Sequence, residues 1–188
     1  MQQYKDWIIG VIIEPARTFG EIYENKPVGP AIITYIIALI LSSLASSVLD
    51  PGIAATIGAS EVLGMITDAA MSLGIGVIGA FLIHLTARFM FGGKGLFWNF
   101  FTCYLFTATP LILAAPILIV FSLFGLTGYF AGAVLSIMVV IWLLALLVIA
   151  IRESYSLTTW SGIAVIVILI VIAIVIIFAL ISIFMALI

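Results

Sequence analysis

The residues best suited to chemistry lie on one stripe. Ser72, Gly76, Ala80, His84 and Arg88 recur every four positions, which on a helix sets them along one face. His84 is the single histidine of the chain. A buried imidazole can relay protons or bind a substrate. Its commoner use in an apolar segment is a hydrogen bond between helices. Gly76 and Ala80 permit close approach of another helix, and Arg88 can carry its guanidinium out to a membrane interface. A second polar face is formed by Ser42, Ser43, Ser46 and Ser47, two adjacent i, i+4 pairs. It suits helix packing and, equally, a polar path. A third group is Thr107, Thr109, Pro110 and Pro116. Each proline removes a backbone donor and frees the carbonyl four residues earlier, on Phe106 and Ile112. A kinked or broken helix is expected there; such breaks line transport sites and also serve packing.

None of these groups makes a catalytic constellation. Gly92 to Gly95, "GGKG", lacks the spacing of a phosphate-binding loop and reads as a tight turn. There is no G-x-S-x-G elbow and no paired-histidine motif. A lone cysteine, Cys103, excludes a disulfide framework and, with one histidine, argues against a metal centre. The expectation is no catalytic residue, no cofactor and no metal.

The elements that carry these residues must be membrane helices. The chain has 188 residues, 66% hydrophobic and 7% charged, with a mean hydropathy of +1.48. A soluble domain is about 45–50% apolar and about 25% charged, so this chain lacks the polar surface for a water-soluble globule. Six Lys+Arg are too few for a nucleic-acid binder, whose affinity rests on many phosphate contacts. A bilayer-crossing helix takes about 20 apolar residues. Five runs qualify, at about 31–49, 69–91, 100–124, 129–151 and 162–188. They are continuous rather than alternating, which excludes a membrane barrel. The expected fold is an all-α, five-span bundle over 31–188, preceded by a segment over 1–30.

The links are short, so successive helices are antiparallel neighbours. The longest, about 50–68, is partly apolar and has room for a short interfacial helix. Lys5, Arg17, Lys26, Arg88, Lys94 and Arg152 all fall on one side of a five-span chain. That places the N-terminus in the cytoplasm and the C-terminus outside the cell membrane. In the N-terminal segment, Trp7 to Ile13 is too short to cross. The following "EPARTF" is a poor cleavage site for a signal peptide. Pro15 suits a first helical turn, and Phe19, Ile22 and Tyr23 recur at helical spacing beside charged residues. An amphipathic interfacial helix is expected there, as a surface element or a partner-docking one.

With these residues in view, the sequence resembles the Yip domain family of membrane proteins, named for interaction with Ypt/Rab GTPases, and most closely its prokaryotic-type members. The resemblance lies in "EPARTFGEIYENKP", in His84 to Leu113 with its Gly-Gly-Lys-Gly turn, aromatic entry and proline, and in Trp142 to Val165 with its Arg-Glu-aromatic step. Eukaryotic members carry an Asp-Leu-Tyr-Gly-Pro motif near the first span and a Gly-Tyr motif before a proline. Here those positions read Val28-Gly29-Pro30 and Leu105-Phe106 before Pro110. The resemblance implies a five-span bundle with a cytoplasmic N-terminus and no known catalysis. It also implies partners in the membrane or at its cytoplasmic face. The functional expectation is a non-enzymatic scaffold or adaptor that contacts the lipid bilayer and other membrane proteins or copies of itself. The alternative is a small permease or channel built on the His84 stripe and the third span, its solute unknown.

Overall fold

The computed structural model describes residues 2–49 and 59–186 and, of these, the side chains of 3–46 and 63–185. Every regular element among them is a helix: α1 Gln2–Ile13, α2 Pro15–Asn25, α3 Val28–Leu49, α4 Ala59–Phe89, α5 Phe97–Phe106, α6 Thr109–Ser122, α7 Gly125–Tyr155 and α8 Thr159–Ala186. Five stretches are long and apolar enough to cross a membrane: Val28–Ser46, Leu63–Phe89, Phe97–Ser122, Gly125–Tyr155 and Thr159–Met185. The protein is an all-α integral membrane bundle. Its second stretch lies within α4, and its third is α5 and α6 end to end.

Helix contacts set the arrangement. α3 packs heavily on α6 and α6 on α7; α7 also packs on α8, α8 on α4, and α4 back on α3. α5 sits inside this ring, touching α2, α3, α4 and α7. Its large side chains Phe100, Leu105 and Phe106 are fully buried, and they supply the packing contacts that hold a membrane bundle together in the absence of a water-driven hydrophobic effect. α8 is the opposite case. Beyond Ile170 its described residues are exposed on every side, and it is built almost wholly of Ile, Val, Leu, Ala and Phe. It faces lipid.

Several boundaries differ from the sequence-based expectation, each for a local reason. Residues 59–68 are not a separate interfacial helix. They are the first turns of α4, because no proline interrupts the run from Ala59 and Gly64 is tolerated within a helix. Residues 50–58, with Asp50 and Pro51, lie outside the described residues. The link before α7 is tighter than residues 125–128: α7 already begins at Gly125, whose φ of 57° takes the turn. At Gly128 a Cβ would overlap the Phe121 carbonyl, which is what lets α6 and α7 meet so closely.

The N-terminal segment holds two helices where one was expected. α1 docks on α2 and α6, with Val11 fully buried and the Trp7 ring edge-on to Phe106 at 6.4 Å. Tyr4 shares a 2.8 Å hydrogen bond with Thr34, inside the first span. α2 begins with Pro15 in its first turn, where the missing N–H costs nothing. Its apolar face does not turn to lipid. Phe19 and Ile22 are fully buried in the protein, against α5 and α7.

Candidate functional site at the basic end

Arg17 stands on α2, Lys26 caps its end, Arg88 is at the end of α4, Lys94 in the loop after it and Arg152 in the last turn of α7. These elements meet at one end of the bundle, called the basic end here. Its centre is Tyr155, fully buried at the α7 terminus. The Tyr155 hydroxyl and His84 Nδ1 share a 2.7 Å hydrogen bond, its donor set by the imidazole tautomer. The His84 ring also lies edge-on to Phe97 at 5.7 Å, and Phe100 flanks Tyr155 at 5.2 Å. His84 is thus held among aromatic rings, with one nitrogen committed.

The loop from α4 to α5 folds over the same tyrosine. Gly93 N–H donates to the Ala87 carbonyl at 3.0 Å, and Lys94 N–H to the Tyr155 carbonyl at 3.3 Å. A Cβ at Gly93 would stand 2.8 Å from that of Tyr155. At Gly95 a Cβ would meet the Ser154 carbonyl and the Tyr155 ring. Gly92 turns the chain at φ 67°. The "GGKG" run is therefore a turn whose glycines serve a close approach, two by lacking a side chain and one by its backbone angle.

α2 is tied to this loop and to α5 by one bond each. Leu96 N–H donates to the Tyr23 hydroxyl at 3.2 Å, and Asn99 Nδ2 donates to the Tyr23 carbonyl at 2.9 Å. Cys103 is buried, with its thiol against the Phe19 carbonyl at 3.5 Å. The outer face of α2 is charged: Arg17 pairs with Glu21 at 3.1 Å and with Glu14 at 3.3 Å. The hydrogen bond to Glu21, then the charge of Glu21, then Glu14, raise Arg17 above its ordinary pKa. α7 closes with a left-handed residue, Ser156 at φ 54°. Leu157 N–H then reaches the Arg152 carbonyl at 3.1 Å, the helix-ending bond of a Schellman turn. Arg152 pairs with Glu153 at 2.9 Å through Nε.

The stripe on α4 divides between burial and exposure. Gly76 and Ala80 are buried, Ser72 and His84 half-buried and Arg88 exposed. At Gly76 a Cβ would come within 3.1 Å of the Tyr35 hydroxyl and 3.6 Å of that of Tyr104; this small residue makes room for two tyrosines. The Tyr35 hydroxyl donates to the Ser72 carbonyl at 3.5 Å. On α3, Ser42 and Ser43 are half-buried and Ser46 is exposed, while the Ser47 side chain is outside the described set. The third span is interrupted at Thr107 and Ala108. Thr109 Oγ1 donates to the Phe106 carbonyl at 2.6 Å, the group freed by Pro110, and Thr107 Oγ1 to the Tyr104 carbonyl at 2.6 Å. Pro116 breaks nothing: it lies inside a continuous α6. Among the described residues no group of three His, Cys, Asp or Glu is placed to hold a metal.

Sequence reasoning missed Tyr155, Tyr35 and Tyr104, the partners of the stripe, and saw Tyr23 only as part of an apolar face and not as the tie between α2 and the α4–α5 loop. Each stands at a helix end or within an apolar run, and its pairing spans 28 to 76 positions along the chain. The three segments singled out earlier, around α2, around the glycine turn and around the end of α7, converge here in space. The Yip1 domain model matches residues 9–181, which takes in all three. The chain belongs to the Yip1 domain family. No curated protein and no solved structure matches it. It is therefore a polytopic Yip1-domain membrane protein in contact with the lipid bilayer, of a family not known as enzymatic.

Proposed function

We propose that this Yip1-domain protein is a non-enzymatic scaffold or adaptor of the cell membrane. Its N-terminus and basic end face the cytoplasm and its C-terminus lies outside. It binds other membrane proteins, or proteins at the cytoplasmic face, through the surface that α2, the glycine turn and the end of α7 build together. The observation that carries this reading is the fixing of α2. Phe19 and Ile22 are sunk in the bundle and Tyr23 is bonded to the loop and to α5. The charged face of Glu14, Arg17, Glu21 and Glu24 is thereby held outward in a set orientation. A pre-ordered surface loses little entropy on binding. Permeation is the less favoured reading: the break in the third span is closed by threonine hydroxyls, and His84 is committed to Tyr155.

The test is in-cell photo-crosslinking. A photoreactive residue at Glu24 or Lys94 is expected to give discrete adducts with a protein partner or a second copy of the chain. The same residue at Phe178, on lipid-facing α8, is expected to give none. Diffuse labelling from all three positions, together with purifications in mild detergent that yield only the lone protomer, overturns the reading.

A further inference from the structure

Away from the basic end, a cleft of about 500 Å³ opens between α3 and α4. Ser42 and Ser46 line it from one side, Asp68 and Ser72 from the other, with Leu39 and Ile75 as apolar wall. Three features of this cleft belong together.

The first is its hydroxyls. A helical serine or threonine in lipid ordinarily donates to the carbonyl one turn back. Ser46 does so to Ser42 at 3.0 Å, Thr67 to Leu63 at 2.8 Å and Ser136 to Gly132 at 2.8 Å. Ser42 and Ser72 do not: among the described residues their hydroxyls have no hydrogen-bond partner. The second is charge. Asp68 is exposed near the start of the second apolar stretch, Leu63–Phe89. A carboxylate there attracts a counter-charge. The cleft wall supplies no Lys or Arg, and none of the ion pairs among the described residues includes Asp68. The third is continuity. Through Ser42 and Ser46 the cleft adjoins a second cavity of about 210 Å³, walled largely by aliphatic side chains such as Leu111, Leu118 and Leu143.

The geometry points to a binding site for an ammonium-bearing lipid. The ammonium group donates to the Asp68 carboxylate and to the Ser42 and Ser72 oxygens, a charge-assisted set. The hydrocarbon chain lies in the adjoining apolar cavity. A small water-soluble amine shares the head chemistry but not the tail.

The full chain in maltoside micelles, doped with phosphatidylethanolamine or with phosphatidylglycerol of the same acyl chains, is analysed by native mass spectrometry. Phosphatidylethanolamine is expected to be retained about tenfold better. Asp68→Asn removes that preference and Asp68→Glu keeps it. The double change Ser42→Ala, Ser72→Ala lowers phosphatidylethanolamine retention and leaves phosphatidylglycerol unchanged. Retention of the lipid against millimolar free ethanolamine supports the lipid as ligand; displacement supports the ammonium site but assigns it to a soluble amine. Equal retention of the two lipids by the unaltered protein overturns the proposal, whatever the variants do. So does an undiminished preference in Asp68→Asn.

Discussion

Replacing Tyr155 by Phe deletes one oxygen and leaves the ring in its aromatic cage. What is lost is the 2.7 Å bond to His84, with a net worth of about 0.5–1.5 kcal/mol. Gly95→Ala adds one methyl, yet it drives that methyl into the Ser154 carbonyl and the Tyr155 ring. Backbone cannot step aside as a flexible side chain can, and overpacking of this kind costs about 1–3 kcal/mol. Gly20, within α2, has nothing near it, so Ala there gains about 0.5–1 kcal/mol of helix propensity. The expected order of melting temperature in one detergent is Gly20→Ala highest, then the unaltered protein, then Tyr155→Phe, with Gly95→Ala lowest. A Gly95→Ala protein that melts with the unaltered one would show that the turn does not clasp Tyr155. The same logic explains why the "GGKG" run reads as a turn from sequence but not as a clasp: the contact that needs the missing Cβ lies 60 positions away.

The third span shows how an element tolerates two prolines differently. Pro110 follows a break, and the Phe106 carbonyl it frees is met by Thr109 Oγ1 at 2.6 Å. In lipid no water stands in for that donor. Thr109→Val keeps the shape and removes the hydroxyl, so it leaves a buried carbonyl short of a partner at a cost of about 1–3 kcal/mol. Thr109→Ser restores the donor. The measurable outcome is a lower melting temperature for Val and recovery for Ser; equal loss in both would mean that shape, not the bond, matters at this position. The break itself was legible because proline acts locally on its own helix. The five spans were legible for the same reason, since continuous apolarity needs no knowledge of neighbours. The fate of α2 was not. Phe19, Ile22 and Tyr23 announce one apolar face, but periodicity is blind to whether lipid or protein covers it, and the covering surface comes from α5 and α7. α1 was missed on similar grounds: Trp7 and Val11 find their burial only once α2 and α6 are in place.

At the scale of the whole molecule, exposed aromatic side chains stand at both ends of the bundle. Trp98, Trp160 and Phe89 stand exposed near the basic end, and Phe124, Tyr129 and Phe130 at the α6–α7 turn. Aromatic side chains favour both membrane interfaces, so these two groups mark the faces of the bilayer without saying which is which. The proposed orientation rests on the basic residues, because Lys and Arg accumulate in cytoplasmic loops. Lys94 is exposed in the α4–α5 loop, and Leu126, 74% exposed, lies at the opposite turn. Cys103 is the single cysteine of the chain and is buried, so it contributes little background to a thiol reagent that cannot cross the membrane. Leu126→Cys is therefore expected to label in intact cells, and Lys94→Cys only after the membrane is opened. Labelling of both in intact cells would break the five-span arrangement. Labelling of Lys94→Cys alone would keep the arrangement and invert it, moving the α2 surface to the outside of the cell and the ammonium cleft to the inside.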